Sequence, residues 1–334
     1  MLENPSILVT GATGFVGRNL IPLLVGKYNN LYAMVRQTSK IEFLKQYGIK
    51  LRSGDLLDKT TLKECLEDID VVIHLASLMS DKDYLPDDEF CKTNVLGTKN
   101  LIEEAGGEIK QFIYISSVGV YGPTNESGAR EEQPYGRDLS VYERSKAEAE
   151  KVILSFAARN NFSFTILRLG QLYGPYMYYG WPDIIKRIEE KRMFIIGRGD
   201  KLLQLTYVGD AVRGIMLSIG NEKCLNQIFN ISADKAYKIK DIFYAIAQKL
   251  GKPYPKNIPF SAVYLLALFL GVMPPRIKKG SLRHLDLHRL GFFRYHHVYD
   301  ISKAKDYLGY RPEVSLSSGM DEEIKWYREF KRKG

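Results

Sequence analysis

Short apolar runs rich in Val, Ile and Leu alternate along the first half of the chain with longer stretches whose apolar residues recur every three or four positions. Ser6–Thr10, Leu31–Arg36, Lys50–Arg52, Val71–His74, Gln111–Ser116 and Ser163–Arg168 are of the first kind and predict strands. Phe15–Tyr28 and Leu85–Ala105 are of the second kind and predict helices, the latter stopped by Gly106-Gly107. Such alternation builds βαβ units, and right-handed crossovers place their helices on both faces of one sheet. The expected class is α/β, with a doubly wound parallel sheet.

The rhythm breaks after Arg168. The stretch from Leu172 to Pro182 is dense in Gly, Pro and aromatic residues, which suits a loop leaving the sheet to wall a binding site. Gln227–Ser232 reads as one more strand rejoining the sheet. Residues 1–170 are therefore expected to form the sheet domain, with a returning strand near 226–232. Residues 171–334 form a smaller, interleaved region that is mainly substrate-binding. The chain shows no internal repeat or low-complexity tract.

Composition narrows the class of protein. With 334 residues, 45% of them hydrophobic and 26% charged, the chain has enough apolar material for a sizeable core and is not expected to be disordered. The three cysteines, Cys65, Cys91 and Cys224, are widely spaced, which argues against a disulfide framework and for reduced thiols in a cytoplasm. Met1 runs within a few residues into Ile7-Leu8-Val9, so no secretory leader is expected.

The net charge of +9 is local, since residues 271–334 hold 14 basic against 8 acidic side chains. The apolar stretch Ser261–Met273, closed by Pro274-Pro275, is too short to span a bilayer. A buried helix is expected there, with a substrate lid or a peripheral membrane contact through residues 262–283 as the alternatives. In the last of these, Arg276, Lys278, Lys279 and Arg283 would meet anionic headgroups. No aromatic module accompanies these cations, so nucleic acid is not an expected partner. Four of the five histidines lie between His284 and His297, yet they lack the His-Glu-x-x-His pattern and no metal site is expected.

Gly11-Ala12-Thr13-Gly14-Phe15-Val16-Gly17 follows the first strand and opens the first helix. One glycine permits a tight turn, another lets backbone N–H groups approach a pyrophosphate, and the third lets helix and strand pack closely. This is a dinucleotide cradle of the Rossmann kind, spaced Gly-x-x-Gly-x-x-Gly. An acidic residue at the end of the second strand would grip the ribose of NAD. Here Arg36 and Lys40 stand instead, which favours the 2′-phosphate of NADP, with NAD the alternative. Asp55 and Leu56, after the third strand, are placed to meet an adenine amino group and ring. Leu75 and Ala76, after the fourth, pass their backbone along the cofactor.

Hydride exchange at a carbonyl needs a group that moves one proton and donors that hold the oxygen. Tyr142 and Lys146 share one helical face, and a fixed cation beside a tyrosine lowers its pKa. Lys146 can also hold the nicotinamide ribose. Tyr299/Lys303 and Tyr327/Lys331 have the same spacing but no hydroxyl from a strand end beside them. Ser117 is the expected hydroxyl that positions the substrate oxygen, with Ser116 the second choice. Asn94 reads either as the holder of a helix bend that orders a water near Lys146 or as a solvated, helix-bending amide.

These motifs, in this order, resemble the extended short-chain dehydrogenase/reductases, a family that includes nucleotide-sugar epimerases, sugar dehydratases, dihydroflavonol-type reductases and 3β-hydroxysteroid or sterol-carboxylate dehydrogenases. The resemblance spans nearly the whole chain. It implies that Ser117, Tyr142 and Lys146 carry the proton chemistry, that backbone around Leu172 borders the nicotinamide, and that the protein is a homodimer joined through the helices containing Leu85–Ala105 and Tyr142–Arg159.

Val118-Gly119 departs from the acidic pair of sugar dehydratases. Leu203-Gln204-Leu205-Thr206 and Phe292–Tyr299 stand where epimerases carry arginines for a diphosphate. The expected function is an NADP-dependent oxidoreductase acting on a secondary alcohol or ketone of a small molecule, sterol-, isoprenoid- or sugar-like. The alternatives are a nucleotide-sugar epimerase with tightly bound NAD and a non-catalytic dinucleotide sensor.

Overall fold

A computed structural model describes residues 4–79, 85–271 and 287–333. The predicted strands form as β1 (Ile7–Thr10), β2 (Leu31–Val35), β3 (Lys50–Ser53), β4 (Val71–His74), β5 (Gln111–Ser117) and β6 (Phe164–Leu169), and Gln227–Ile231 returns as β7. They make one seven-stranded sheet in the order β7-β6-β5-β4-β1-β2-β3. Every neighbouring pair is parallel. The chain starts at β1, moves outward to β3, then crosses back to β4 on the other side of β1. That reversal opens a crevice at the carboxyl ends of β1 and β4, where doubly wound sheets take their ligands.

Buried strands alternate their side chains between two apolar layers. Ile7, Val9, Ile73 and Leu167 face one layer with Leu20, Ile21 and Leu24 of α1 (Phe15–Val25). Leu8, Val72, Phe112 and Ile166 face the other with Leu101 and Ile102 of α2 (Gly97–Ala105) and Ile153 of α3 (Val141–Ala157). Gly106 ends α2 with a positive φ of 51°, the stop expected from its sequence. The stretch before α2 departs from the expected single helix. Asp87–Phe90 is α-helical, Cys91–Leu96 is a turn of π-helix, and only then does α2 begin.

The later chain adds helices and two-stranded pieces around a third apolar cluster built on Trp181, Ile185, Phe243 and Met320. Gln171–Tyr173 pairs with Leu205–Tyr207, just before α4 (Val208–Ser218). Residues 296–299 are stitched to the loop after β5 by single bridges, Thr124 to His296 and Ala129 to Tyr299.

The apolar run expected to be a buried helix forms α5 (Phe260–Gly271), but only one side of it is buried. Ala267 and Leu270 face inward, whereas Leu265, Leu266, Leu268 and Phe269 are exposed. Among the described residues no helix is long and apolar enough to cross a membrane. Arg276, Lys278, Lys279, Arg283 and His284 lie outside the described residues.

Candidate active site

The glycine turn has the shape its spacing implies. Gly11 has φ +69°, and a Cβ on it would lie 2.6 Å from the backbone nitrogen of Ala76. A Cβ on Gly17 would lie 2.4 Å from the carbonyl oxygen of Ala12, so only glycine lets α1 sit this close to β1. No side chain caps the first turn of α1, leaving the N–H groups that follow Gly14 directed at the crevice. A pyrophosphate fits a cradle that any side chain would fill.

The opposite wall is held by the Thr10 hydroxyl, which accepts from the Ala76 N–H at 3.2 Å and bonds the His74 ring at 2.7 Å. The other ring nitrogen of His74 meets the Thr98 hydroxyl at 3.0 Å. Burial, reinforced by the charge of Lys146, pushes the His74 pKa down to about 3, so the ring stays neutral and serves as a spacer.

Thr13, Phe15 and Val16 are partly exposed along the cradle. Arg18 donates to the Thr13 carbonyl at 3.0 Å and lies 4.9 Å from the Phe43 ring centroid and 5.7 Å from that of Tyr176. Asn19 ties α1 to the later loop through the Pro175 carbonyl, 3.0 Å away. That loop follows the strand carrying Leu172, which is thereby held beside the cradle.

Arg36 and Lys40 are both exposed at the end of β2. The Arg36 N–H donates to the Ser39 hydroxyl at 3.0 Å and the Ser39 N–H donates back to the Arg36 carbonyl at 2.9 Å, a preset turn that leaves both cations facing solvent. Asp55 accepts from the Leu57 N–H at 3.0 Å, within its own turn. The Leu56 side chain is buried in the layer with Leu62 and Cys65, so it packs helix against sheet and offers no open face to a ring.

The proton-handling groups meet at the carboxyl end of β5. Ser140 starts α3 with a capping box, its hydroxyl accepting from the Glu143 N–H at 3.3 Å while its own N–H donates to the Glu143 carboxylate at 2.8 Å. This places Tyr142 in the first helical turn. The Ser117 hydroxyl accepts from the Gly119 N–H at 3.1 Å and stands beside the Tyr142 phenol, whose ionised form it favours. One turn on, Lys146 is 3% exposed; its ammonium donates to the Ile115 carbonyl at 2.8 Å and lies 4.8 Å from the Tyr114 ring centroid.

Two pKa shifts describe the protein without its cofactor. Burial pushes the Lys146 pKa down to about 7, opposed by the charge of Glu150. The Tyr142 pKa moves upward, through burial and then the charge of Glu143, and the neighbouring Ser117 offsets only part of this. The lowering expected from a nearby cation is therefore not expressed here, because burial takes the Lys146 pKa to about 7 and the lysine has lost its charge before the phenol titrates. At neutral pH the phenol keeps its proton.

Beneath this pair lies a network that the sequence did not announce. Glu150, 0% exposed and one further turn along α3, receives two bonds from the Arg168 Nε, at 3.1 and 3.2 Å, and a third from its terminal nitrogen at 2.7 Å. The same carboxylate accepts from Ser116 at 2.5 Å and from Tyr135 at 3.0 Å. Arg168 also donates to the Tyr121 hydroxyl at 2.7 Å, which in turn donates to Asn230 of β7 at 2.8 Å. Ser116 is thus spent on Glu150 and leaves Ser117 as the hydroxyl in the crevice. The signal available beforehand was the Tyr142, Lys146, Glu150 spacing on one helical face.

Asn94 is buried and sits in the π turn, so it holds a helix bend and is not a solvated amide. Its carbonyl accepts from the Leu78 N–H at 2.7 Å, and its amide donates to the Leu78 carbonyl at 3.1 Å and to the Ser145 hydroxyl at 2.8 Å. Both amide hydrogens are occupied, so it clamps the π turn to α3.

The rival tyrosine pairs serve elsewhere. Tyr299 is buried and stacks on Tyr121, while Lys303 lies over Phe229. Tyr327 and Lys331 both bond Glu189. His296 accepts from the Leu202 N–H at 3.2 Å, and the His297 ring meets the Phe292 carbonyl at the same distance. The positions at which epimerases resembling this chain carry a diphosphate arginine, Leu203 to Thr206, are buried and hold no charge.

The family model described as the NAD dependent epimerase/dehydratase family matches residues 7–232. The chain belongs to that family, a branch of the extended short-chain dehydrogenase/reductases whose relatives are NAD-dependent enzymes. It is 27% identical to a 2-alkyl-3-oxoalkanoate reductase of Shewanella oneidensis, over 93% of this chain and 84% of that one. It is 29% identical to a 3β-hydroxysteroid-dehydrogenase/decarboxylase, isoform 1, of Arabidopsis thaliana, over 95% and 78%. Among solved structures, the UDP-glucuronic acid 4-epimerase of Bacillus cereus, in complex with UDP-glucuronic acid and NAD, superimposes with a TM-score of 0.76 at 26% identity, over 97% and 99%.

Proposed function

We propose that the protein is an NADP-dependent oxidoreductase that exchanges a hydride with a secondary alcohol or its ketone, with Tyr142 as the proton relay. The observation that carries this is the placement of Ser117, at the end of β5, beside the buried Tyr142, one helical turn from the buried Lys146. The nicotinamide supplies or accepts the hydride when bound. Ser117 holds the substrate oxygen, and Tyr142, protonated at neutral pH, gives that oxygen its proton as the carbonyl is reduced. In the reverse direction the same oxygen returns the proton to Tyr142. Lys146, which keeps donors free beside its bond to the Ile115 carbonyl, would hold the nicotinamide ribose, and its positive charge would then ease proton loss from the phenol.

Arg36 and Lys40, exposed on a preset turn, support NADP over NAD. The uncharged stretch Leu203–Thr206 and the packed Phe292 and Phe293 rings support an apolar substrate of sterol or isoprenoid character. The Shewanella reductase and the Arabidopsis hydroxysteroid dehydrogenase, by their names oxidoreductases, support this reading. A second reading is a nucleotide-sugar epimerase with tightly bound NAD, favoured by the solved neighbour that holds NAD and a UDP-sugar.

Denaturing the freshly purified protein and identifying the released dinucleotide by mass spectrometry separates the two. An empty protein that then binds NADPH more tightly than NADH supports the reductase. Stoichiometric NAD supports the epimerase and removes Arg36 as a phosphate selector.

A further inference from the structure

The exposed side of α5 is unusual for a water-facing surface. Leu265 is 65% exposed, Phe269 60%, and Leu266 and Leu268 each 42%. At about 100° per residue these four, with exposed Ala262 and Ser261, fall within an arc of roughly 160°. The opposite side, with Ala267 and Leu270, is buried next to the helix Leu287–Arg294, whose Leu290 is also buried. The helix holds no charged residue on either side. An apolar helix of this kind is ordinarily enclosed by protein, and four adjacent large apolar side chains left in water mark a contact surface.

The chain around this helix has one sign of charge. Between Asp241 and Asp286 lie 44 residues without a single Asp or Glu, and seven of them are Lys or Arg. Among the described ones, Lys249 is paired with Asp321, whereas Lys256, in the strand leading into α5, is exposed. A second copy of this surface would bring cations against cations, which opposes self-association. A surface that is both apolar within and negative at its rim satisfies both features.

We infer that the Leu265–Phe269 face of α5 docks on an anionic lipid bilayer, lying in the headgroup plane. A helix of 12 residues is about 18 Å long and cannot span the hydrocarbon core. It can bury one apolar side while the exposed Lys256 before it meets lipid phosphates. The inference stands on this surface alone and does not depend on which substrate the crevice accepts.

The test is sedimentation of the full chain with vesicles of phosphatidylcholine, alone or mixed with phosphatidylglycerol, at low and high salt. The expected result is binding to the mixed vesicles that weakens with salt, and a fall of about tenfold or more in the Leu265→Ser/Phe269→Ser variant. Because both side chains are already exposed, that variant keeps the melting temperature and NADPH binding of the parent. Lys256→Glu weakens binding less than the double variant. No binding to mixed vesicles, equal binding to both kinds, or binding unchanged in the double variant overturns the inference. So does a parent oligomer that the double variant breaks up in light scattering without vesicles, since that assigns the face to a second copy.

Discussion

The two ends of the dinucleotide crevice are built on opposite principles. At the proton-transfer end, Lys146, Glu150 and Arg168 are almost wholly buried and held by a chain of bonds running from β5 through α3 to β6 and β7. At the other end, Arg36 and Lys40 project into solvent from a turn held by two bonds at Ser39. The first end has its geometry fixed by tertiary contacts before any ligand arrives, as a site that must align a proton with an oxygen requires. On the proposed reading, the second gains its contacts only when a 2′-phosphate is present. Substitutions at the first end should therefore change chemistry and stability together, and those at the second should change only the choice of ligand.

The largest expected effect is at Tyr142. Tyr142→Phe should lower turnover by about 10²–10⁴-fold while leaving the dinucleotide dissociation constant nearly unchanged, read by single-turnover kinetics and fluorescence titration. Turnover that survives the change removes Tyr142 as the proton relay. Next is Glu150→Ala, which leaves the Arg168 guanidinium buried without its carboxylate. Urea unfolding should show a loss of about 3–5 kcal/mol. Arg36→Ala in the same assay should stay within about 0.5 kcal/mol of the parent. Equal losses at the two positions would erase the contrast between the ends.

Arg36→Ala should instead lower NADPH affinity about tenfold to hundredfold with little change for NADH, the worth of a charge-assisted phosphate contact. Unchanged selectivity would mean the turn does not read the 2′-phosphate.

The smallest effect is a slope. The Lys146 pKa is about 7 in the folded protein, against 10.5 for a lysine of the unfolded chain. Between those values the unfolded chain binds a proton that the folded one does not. Stability thus rises with pH through that window and is lost as pH falls toward 7, by at most about 1.4 kcal/mol per pH unit. Subtracting the unfolding curves of Lys146→Met from those of the parent between pH 7 and 9 should isolate this slope. Parallel curves would show that the lysine is not desolvated by the fold.

Much of the fold was legible because it is encoded locally. Alternating apolar runs set the strands within a residue or two, the glycine spacing fixed the β1–α1 turn, and the four-residue interval put Tyr142 and Lys146 on one face. Leu85–Ala105 was read too simply, since periodicity does not register the extra residue of a π turn. That turn is held by the Asn94 amide bonding Leu78 and Ser145, residues 16 and 51 positions away.

The sequence by itself determined the sheet class, the dinucleotide cradle and which side chains share a helical face, since these follow from backbone sterics and helical or strand periodicity. Only the tertiary structure decided that Ser116 bonds Glu150 while Ser117 stands beside Tyr142, that Arg168 lies under the site, and that α5 keeps one apolar side exposed. A repeat along the chain fixes what a face is made of. What that face meets depends on which distant segment packs there, and no local spacing carries that information.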